Sequence, residues 1–91
     1  MSKIGLGIIT CNREDFYKKC IESVVPCPLD EIVTVNDGEP YESEPLRGEL
    51  IQHTTNKGVG VSKNDALKYL IDKGCEHLFL MEDDILIRDP D

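Results

Sequence analysis

The residues best suited to chemistry in this chain are Glu82, Asp83 and Asp84. Four large apolar residues, Leu78-Phe79-Leu80-Met81, run straight into them. An apolar run of that length bounded by polar residues reads as a buried strand. Adjacent carboxylates repel one another and are hard to account for as core. They make sense if they end the strand at a solvent-facing crevice and meet a divalent cation. On an extended backbone Glu82 and Asp84 point the same way and Asp83 points opposite. Oxygen ligands on one side of a strand end suit Mg2+ or Mn2+, especially when ligand phosphates complete the shell. The plainer alternative is a solvated acidic turn.

The elements that would position this triplet read as alternating strands and helices. Ile4–Ile9 is a strand apolar on both faces, as a central parallel strand is. Its glycines, Gly5 and Gly7, lie inside the strand and form no dinucleotide fingerprint. Thr10-Cys11-Asn12-Arg13 is the turn that follows. Asn12 is the expected N-cap of the next helix, with Asp15 as its capping-box partner. Phe16, Tyr17, Cys20, Ile21, Val24 and Val25 give that helix one apolar stripe, and Pro26 and Pro28 end it. Glu31–Asn36 is a β-branched strand running into the turn Asn36-Asp37-Gly38. Residues 38–48 read as a polar surface loop with no packing role, and Leu50–His53 as a short third strand. The polar turn Thr54–Gly60 leads into a helix from about Val59 to Lys73. Its apolar face is Ala66, Leu67, Leu70 and Ile71, and Gly74 is its C′ residue. The carboxylate-ending strand comes next, and Ile85-Leu86-Ile87 opens a further strand-like run.

This alternation predicts a parallel α/β sheet with right-handed crossovers. In such a sheet the turns after Ile9, Asn36 and Met81 share the carboxyl edge, where open α/β folds bind ligands. The helix that follows Asn56–Gly60 would bring free N–H groups and a positive dipole end toward that edge, with Lys63 and Asn64 on its first turns. Four polar stretches distant in sequence therefore converge on one crevice, which favours the cation-site reading of the triplet.

Bulk properties narrow the function classes. Ninety-one residues make a single domain, 1–91, with one modest core. A formal charge of −8 argues against a nucleic-acid partner, whose footprint is basic. It also means that a phosphate-bearing ligand needs backbone donors, a few placed cations, or a metal. No apolar run approaches the roughly 20 residues of a membrane span, and the start does not read as a signal peptide. A cytoplasmic location is the expectation. Cys11, Cys20, Cys27 and Cys75 show no zinc or redox spacing and read as reduced thiols. His53 and His77 are isolated in sequence.

Four segments carry a resemblance. Ile9-Thr10-Cys11-Asn12-Arg13 resembles the opening strand and Thr-x-Asn-Arg turn of family 2 glycosyltransferases. Val35-Asn36-Asp37-Gly38 resembles that family's Asp-Asp-Gly, with Asn36 for the first Asp. Asn56–Asn64 resembles its Asn-x-Gly…Arg-Asn stretch, with Lys63 for Arg. Leu80–Asp84 resembles its strand ending in Asp-x-Asp, with Glu82 for the first Asp. The resemblance covers essentially the whole chain. It implies a three-layer α/β/α sandwich with a mainly parallel sheet, the Rossmann-like, nucleotide-sugar-binding half of a GT-A fold. It further implies transfer of a sugar from a nucleotide-diphospho-sugar, typically UDP-linked, to an acceptor it does not name. The contacts it implies fall on Thr10, Asn12, Arg13, Asp37, Asn56, Gly58, Lys63, Asn64, Glu82 and Asp83, with Asp37 on the base, Lys63 by the diphosphate and Glu82 at the ribose. Asp84, with Glu82, would hold Mn2+ or Mg2+. Lys for Arg at position 63 keeps the charge but loses the two-pronged grip on phosphate. The family's acceptor site and general base lie beyond its metal motif, so no catalytic base is assigned. The chain then reads as the donor half of a longer enzyme, as a non-catalytic nucleotide-sugar-binding or protein-interaction module, or as a half completed by a partner chain. An unpaired edge strand would also invite a homodimer. A phosphoacceptor receiver is disfavoured, because Thr10 and Cys11 stand where receivers carry an acidic pair.

Overall fold

Strand β1 (Ile4–Thr10) is flanked on one side by β2 (Glu31–Asn36) and on the other by β4 (His77–Glu82), with β3 (Glu49–Gln52) beyond β2. This computed structural model describes residues 3–42 and 45–83. All four strands are parallel, in the order β3-β2-β1-β4. Helix α1 (Glu14–Val24) links β1 to β2, and helix α2 (Val59–Asp72) links β3 to β4. Progress across the sheet reverses between β3 and β4, so right-handed connections put the two helices on opposite faces.

The core confirms that arrangement. Register pairs Leu6 with Ile32 and with Phe79, and Ile8 with Met81. Leu6, Ile8, Ile32 and Met81 pack with Tyr17, Cys20, Ile21 and Val24 of α1. On the other face, Ile9, Val33 and Val35 pack with Ala66 and Leu70 of α2 and with Cys75. Gly5 and Gly7 let α2 lie close to the sheet. A Cβ at Gly5 would come within 2.8 Å of Leu70 Cδ2, and one at Gly7 within 2.9 Å of Ala66 Cβ. The result is a parallel α/β architecture consistent with a Rossmann-like fold.

The C-terminus of α2 follows the chemistry of its sequence. Gly74 has φ +85°, its N–H donates to the Ile71 carbonyl, and the Cys75 N–H donates to the Leu70 carbonyl. These are the two bonds of a Schellman ending. The four cysteines are free. No helix among the described residues is long and apolar enough to cross a membrane.

Several local expectations are corrected. Asn12 does not cap α1. The N-cap is Arg13, with no side-chain capping bond. Asn12 instead adopts φ +53°, a conformation Asn tolerates better than most residues. Its Oδ1 accepts the Glu39 N–H at 2.9 Å, which ties the turn after β1 to the turn after β2. Phe16 and Val25 are exposed, so the stripe of α1 reduces to Tyr17, Cys20, Ile21 and Val24. Phe16 lies under the Arg13 guanidinium, 5.5 Å from ring centroid to Cζ. Ile71 is exposed on α2. Strand β4 is paired on one side only among the described residues and leaves Phe79 58% exposed. The loop over 38–48 does pack. Tyr41 meets Tyr17 with ring centroids 5.6 Å apart. Arg47 donates to the carbonyls of Val24, Val25, Cys27 and Leu29, satisfying the end of α1 and the segment after it. The run Ile85–Ile87 lies outside the described residues.

Candidate functional site

The carboxyl end of β1 is the centre of the polar edge. Its last carbonyls are taken up from both sides: Thr10 O accepts the Asp37 N–H at 2.9 Å, and Ile9 O accepts the Asp83 N–H at 3.1 Å. Asp37 and Asp83 thus leave β2 and β4 on either side of β1, Asp83 beside the point where strand order reverses.

On the β4 side, Asp83 is fully buried. Thr10 Oγ1 donates to its Oδ2 at 2.8 Å, and the Arg13 guanidinium donates to its Oδ1. Thr10 has a single proton, spent on Asp83, so it accepts from the Tyr41 hydroxyl. That hydroxyl in turn accepts the Arg13 backbone N–H at 3.1 Å. The turn after β1, the loop after β2 and the end of β4 are joined in this one network.

On the β2 side, Asn36 shapes the turn. Its Oδ1 accepts the Gly38 N–H and its Nδ2 donates to the Glu39 carbonyl, both at 3.0 Å. Asp37 is buried and points to the start of α2. Its Oδ1 accepts the Lys57 N–H at 2.8 Å and lies 2.6 Å from His53 Nδ1; its Oδ2 accepts the Gly58 N–H at 2.8 Å. Burial works against the Asp37 charge, but these N–H donors and His53 outweigh it and hold the carboxyl below its ordinary range. His53 is buried too, and its Nε2 lies 2.7 Å from Asp65 Oδ2. Its pKa is raised, chiefly by the bond to Asp37, with burial opposing and Asp65 adding to the rise. Gln52 closes the floor, its Nε2 donating to the carbonyls of Gly38 at 2.8 Å and His53 at 3.1 Å.

On the β2 side of this edge lies a cleft of about 420 Å3, lined by Asn12, Asp37–Pro40 and Gln52–Asn56. That volume falls in the range of small-molecule sites. The turns after β1, β2 and β3 all contribute. Asn56 Nδ2 donates to the Asp37 carbonyl at 3.1 Å and reaches Cys11 Sγ at 3.6 Å.

The structure therefore sorts the residues singled out in the sequence. Asn12, Asp37 and Asn56 line one cleft. Thr10, Arg13 and Asp83 form the adjoining network. Gly58 receives Asp37 at the start of α2. Lys63, Asn64 and Glu82 do not line the cleft. Lys63 is partly buried on α2, and Asn64 and Glu82 are exposed. Asp84 lies outside the described residues. Among those described, no group of three or more His, Cys, Asp or Glu side chains is placed to hold a metal ion. Asp37 and Asp83 already have internal donors, whereas Glu82 at the end of β4 and Glu39 in the turn after β2 are exposed to solvent. His53, Asp65, Tyr41 and Gln52 were not singled out from sequence. The position of His53 and Gln52 at the end of the third strand was a usable signal. Nothing in the spacing of Asp65 or Tyr41 announces their contacts.

The molecule is thus defined as a parallel α/β protein with a polar cleft at the carboxyl edge of its sheet. No protein-family model, curated protein or solved structure matches the chain.

Proposed function

We propose that this chain is the donor-binding half of a metal-dependent glycosyltransferase of family 2. Its fold would be the three-layer, Rossmann-like half of a GT-A domain, binding a UDP-linked sugar for transfer to an acceptor. The observation that carries the reading is the cleft walled by the turns after β1, β2 and β3 at the carboxyl edge of the parallel sheet. Those turns hold or open three of the four segments that resemble the family, and the fourth belongs to the end of β4.

In this reading the base enters between Asn12 and Thr54–Asn56, where side-chain amides and hydroxyls can pair with a heterocycle's polar edge. The Asp37 carboxylate keeps the cleft in shape from behind, because three donors already converge on it. Glu82 and Asp84 would hold Mn2+ or Mg2+, which would offset charge on a diphosphate leaving group. Lys63 supplies a positive charge on α2. In a chain of formal charge −8, a diphosphate needs such compensation.

Calorimetric titration of the chain with UDP tests the proposal. Binding should appear with Mn2+, collapse with a chelator, and lose its metal dependence in Asp84→Ala. Absence of binding, or binding indifferent to metal, would remove it. Donor hydrolysis by the chain would then separate an enzyme from a non-catalytic binding module.

A further inference from the structure

His53 stands at the junction of three elements, and its two ring nitrogens are both engaged by carboxylates. Nδ1 lies 2.6 Å from Asp37 in the turn after β2, and Nε2 lies 2.7 Å from Asp65 on α2. A neutral imidazole carries one N–H and one lone pair. It could donate to one carboxylate only, and would turn its lone pair on the other. The imidazolium donates to both. The ring is 5% exposed, so water cannot readily replace a missing donor. Asp37 has further partners at the Lys57 and Gly58 amides, whereas Asp65 is 36% exposed and can turn to solvent.

We infer that Asp37, His53 and Asp65 form a proton-dependent clasp: the imidazolium fastens the start of α2 and the turn after β2 to the end of β3, and loss of its proton releases Asp65 and loosens the 53–56 wall of the cleft together with the Lys57–Gly58 turn that follows it. This goes beyond the nucleotide-sugar reading and does not depend on it. The raised proton affinity of His53 agrees with the geometry. Asp37 and Asp65 are the charged groups acting on the ring. The turn after β1 brings uncharged Asn12 to the cleft, Lys57 offers Asp37 its backbone amide, and Glu39 also lines the cleft.

The experiment uses the chain alone. Nitrogen NMR of the imidazole should show both ring nitrogens protonated at neutral pH and a titration above the ordinary value of about 6.5. Amide exchange at Lys57 and Gly58 should accelerate through that titration by more than base catalysis of exchange alone gives. Asp65→Asn keeps an acceptor for Nε2–H but removes the charge. It should move both the titration and the exchange transition down by about 1 pH unit, with the fold retained. His53→Gln, if folded, should show fast exchange at Lys57 and Gly58 with no step in this range. A neutral ring with one protonated nitrogen at pH 7 would overturn the clasp. So would a titration unmoved by Asp65→Asn, or exchange that follows base catalysis alone.

Discussion

Removing the Arg13 side chain tests whether the network at the end of β1 holds the sheet edge together. The Asp83 side chain has 0% exposure, and Arg13 is 46% exposed. In Arg13→Ala the buried carboxylate keeps the Thr10 hydroxyl and loses its countercharge. Breaking a fully buried pair costs about 3–5 kcal/mol. Water can reach the space a half-exposed guanidinium leaves, so the figure is discounted to about 2 kcal/mol. For a domain of this size that is a fall in Tm of about 8–16 °C. Urea unfolding followed by circular dichroism at neutral pH gives the value directly, with the slope checked for two-state behaviour. The decisive variant is Arg13→Ala/Asp83→Asn. An asparagine keeps an acceptor for Thr10 and carries no charge to strand, so the double variant should recover about 1 kcal/mol over Arg13→Ala. Set against the Asp83→Asn single variant, which should itself be destabilised, that recovery is a coupling term that independent contributions cannot produce. If Arg13→Ala lies within about 0.5 kcal/mol of the parent, or Asp83→Asn brings no recovery, the pair does not support the fold and the reasoning fails.

Two more outcomes follow from the same coordinates. Asp37 has a lowered folded pKa, so its contribution is full above the unfolded value of about 3.9 and is lost as pH falls through the folded one. His53 has a raised folded pKa, so its contribution is full below about 6.5 and is lost as pH rises through the folded one. The urea midpoint should peak between those limits, with Asp37→Asn flattening the acid limb and His53→Gln the alkaline limb; a profile without either limb contradicts the linkage. Gly48→Ala should cost about 3 kcal/mol or more, because φ is +87° and the new Cβ would lie 2.2 Å from the Ile32 carbonyl oxygen. Gly58→Ala, at φ +93° and ψ 163° with nothing within 4 Å, should cost only the backbone strain of about 1–3 kcal/mol, and equal melting temperatures for the two variants would show that the Ile32 contact does not matter.

The fold was legible where one residue type has one job. Val33 and Val35 marked a buried strand and Gly74 marked the end of α2, and they occupy those places. The apolar periodicity of α2 found Ala66 and Leu70, but it also took in Ile71, which the spacing of a single helix cannot separate from the core. Phe16 and Phe79 misled for a related reason. Hydrophobicity reports that a residue favours burial, and the neighbouring element decides whether cover exists. At Phe16 that element is a guanidinium, and at Phe79 it is an edge strand with one described neighbour. The site was legible as an edge, since parallel strands bring their terminal turns together. Its bonding was not. Tyr41 reaching Thr10 across 31 residues and Asp83 reaching Thr10 across 73 are tertiary facts with no periodic trace.

That bonding changes what the polar residues of the edge can be asked to do. Thr10, Asp37 and Asp83 look like ligand contacts in sequence, yet in the folded chain each is committed to a protein partner. Such commitment is what a preformed site requires, because a group that must hold a ligand within a fraction of an ångström needs its own support fixed first. Asp37 fixes the start of α2, Asp83 fixes Arg13, and Tyr41 ties the loop after β2 to both Thr10 and the Arg13 backbone. The side chains left to meet a ligand are the amides and hydroxyls of Asn12 and Thr54–Asn56 and the exposed carboxylate of Glu39, around a floor of turn backbone. A cleft so built discriminates by the placement of hydrogen-bond donors and acceptors. In the nucleotide-sugar reading, charge recognition would fall to Lys63 on α2 and to Glu82 at the end of β4, neither of which lines the cleft. A ligand satisfying both must carry a neutral, hydrogen-bonding head and a charged tail. Uridine without its phosphates should therefore compete for the cleft without metal, while pyrophosphate alone should need the cation. Equal metal dependence of the two would show that one region handles both tasks.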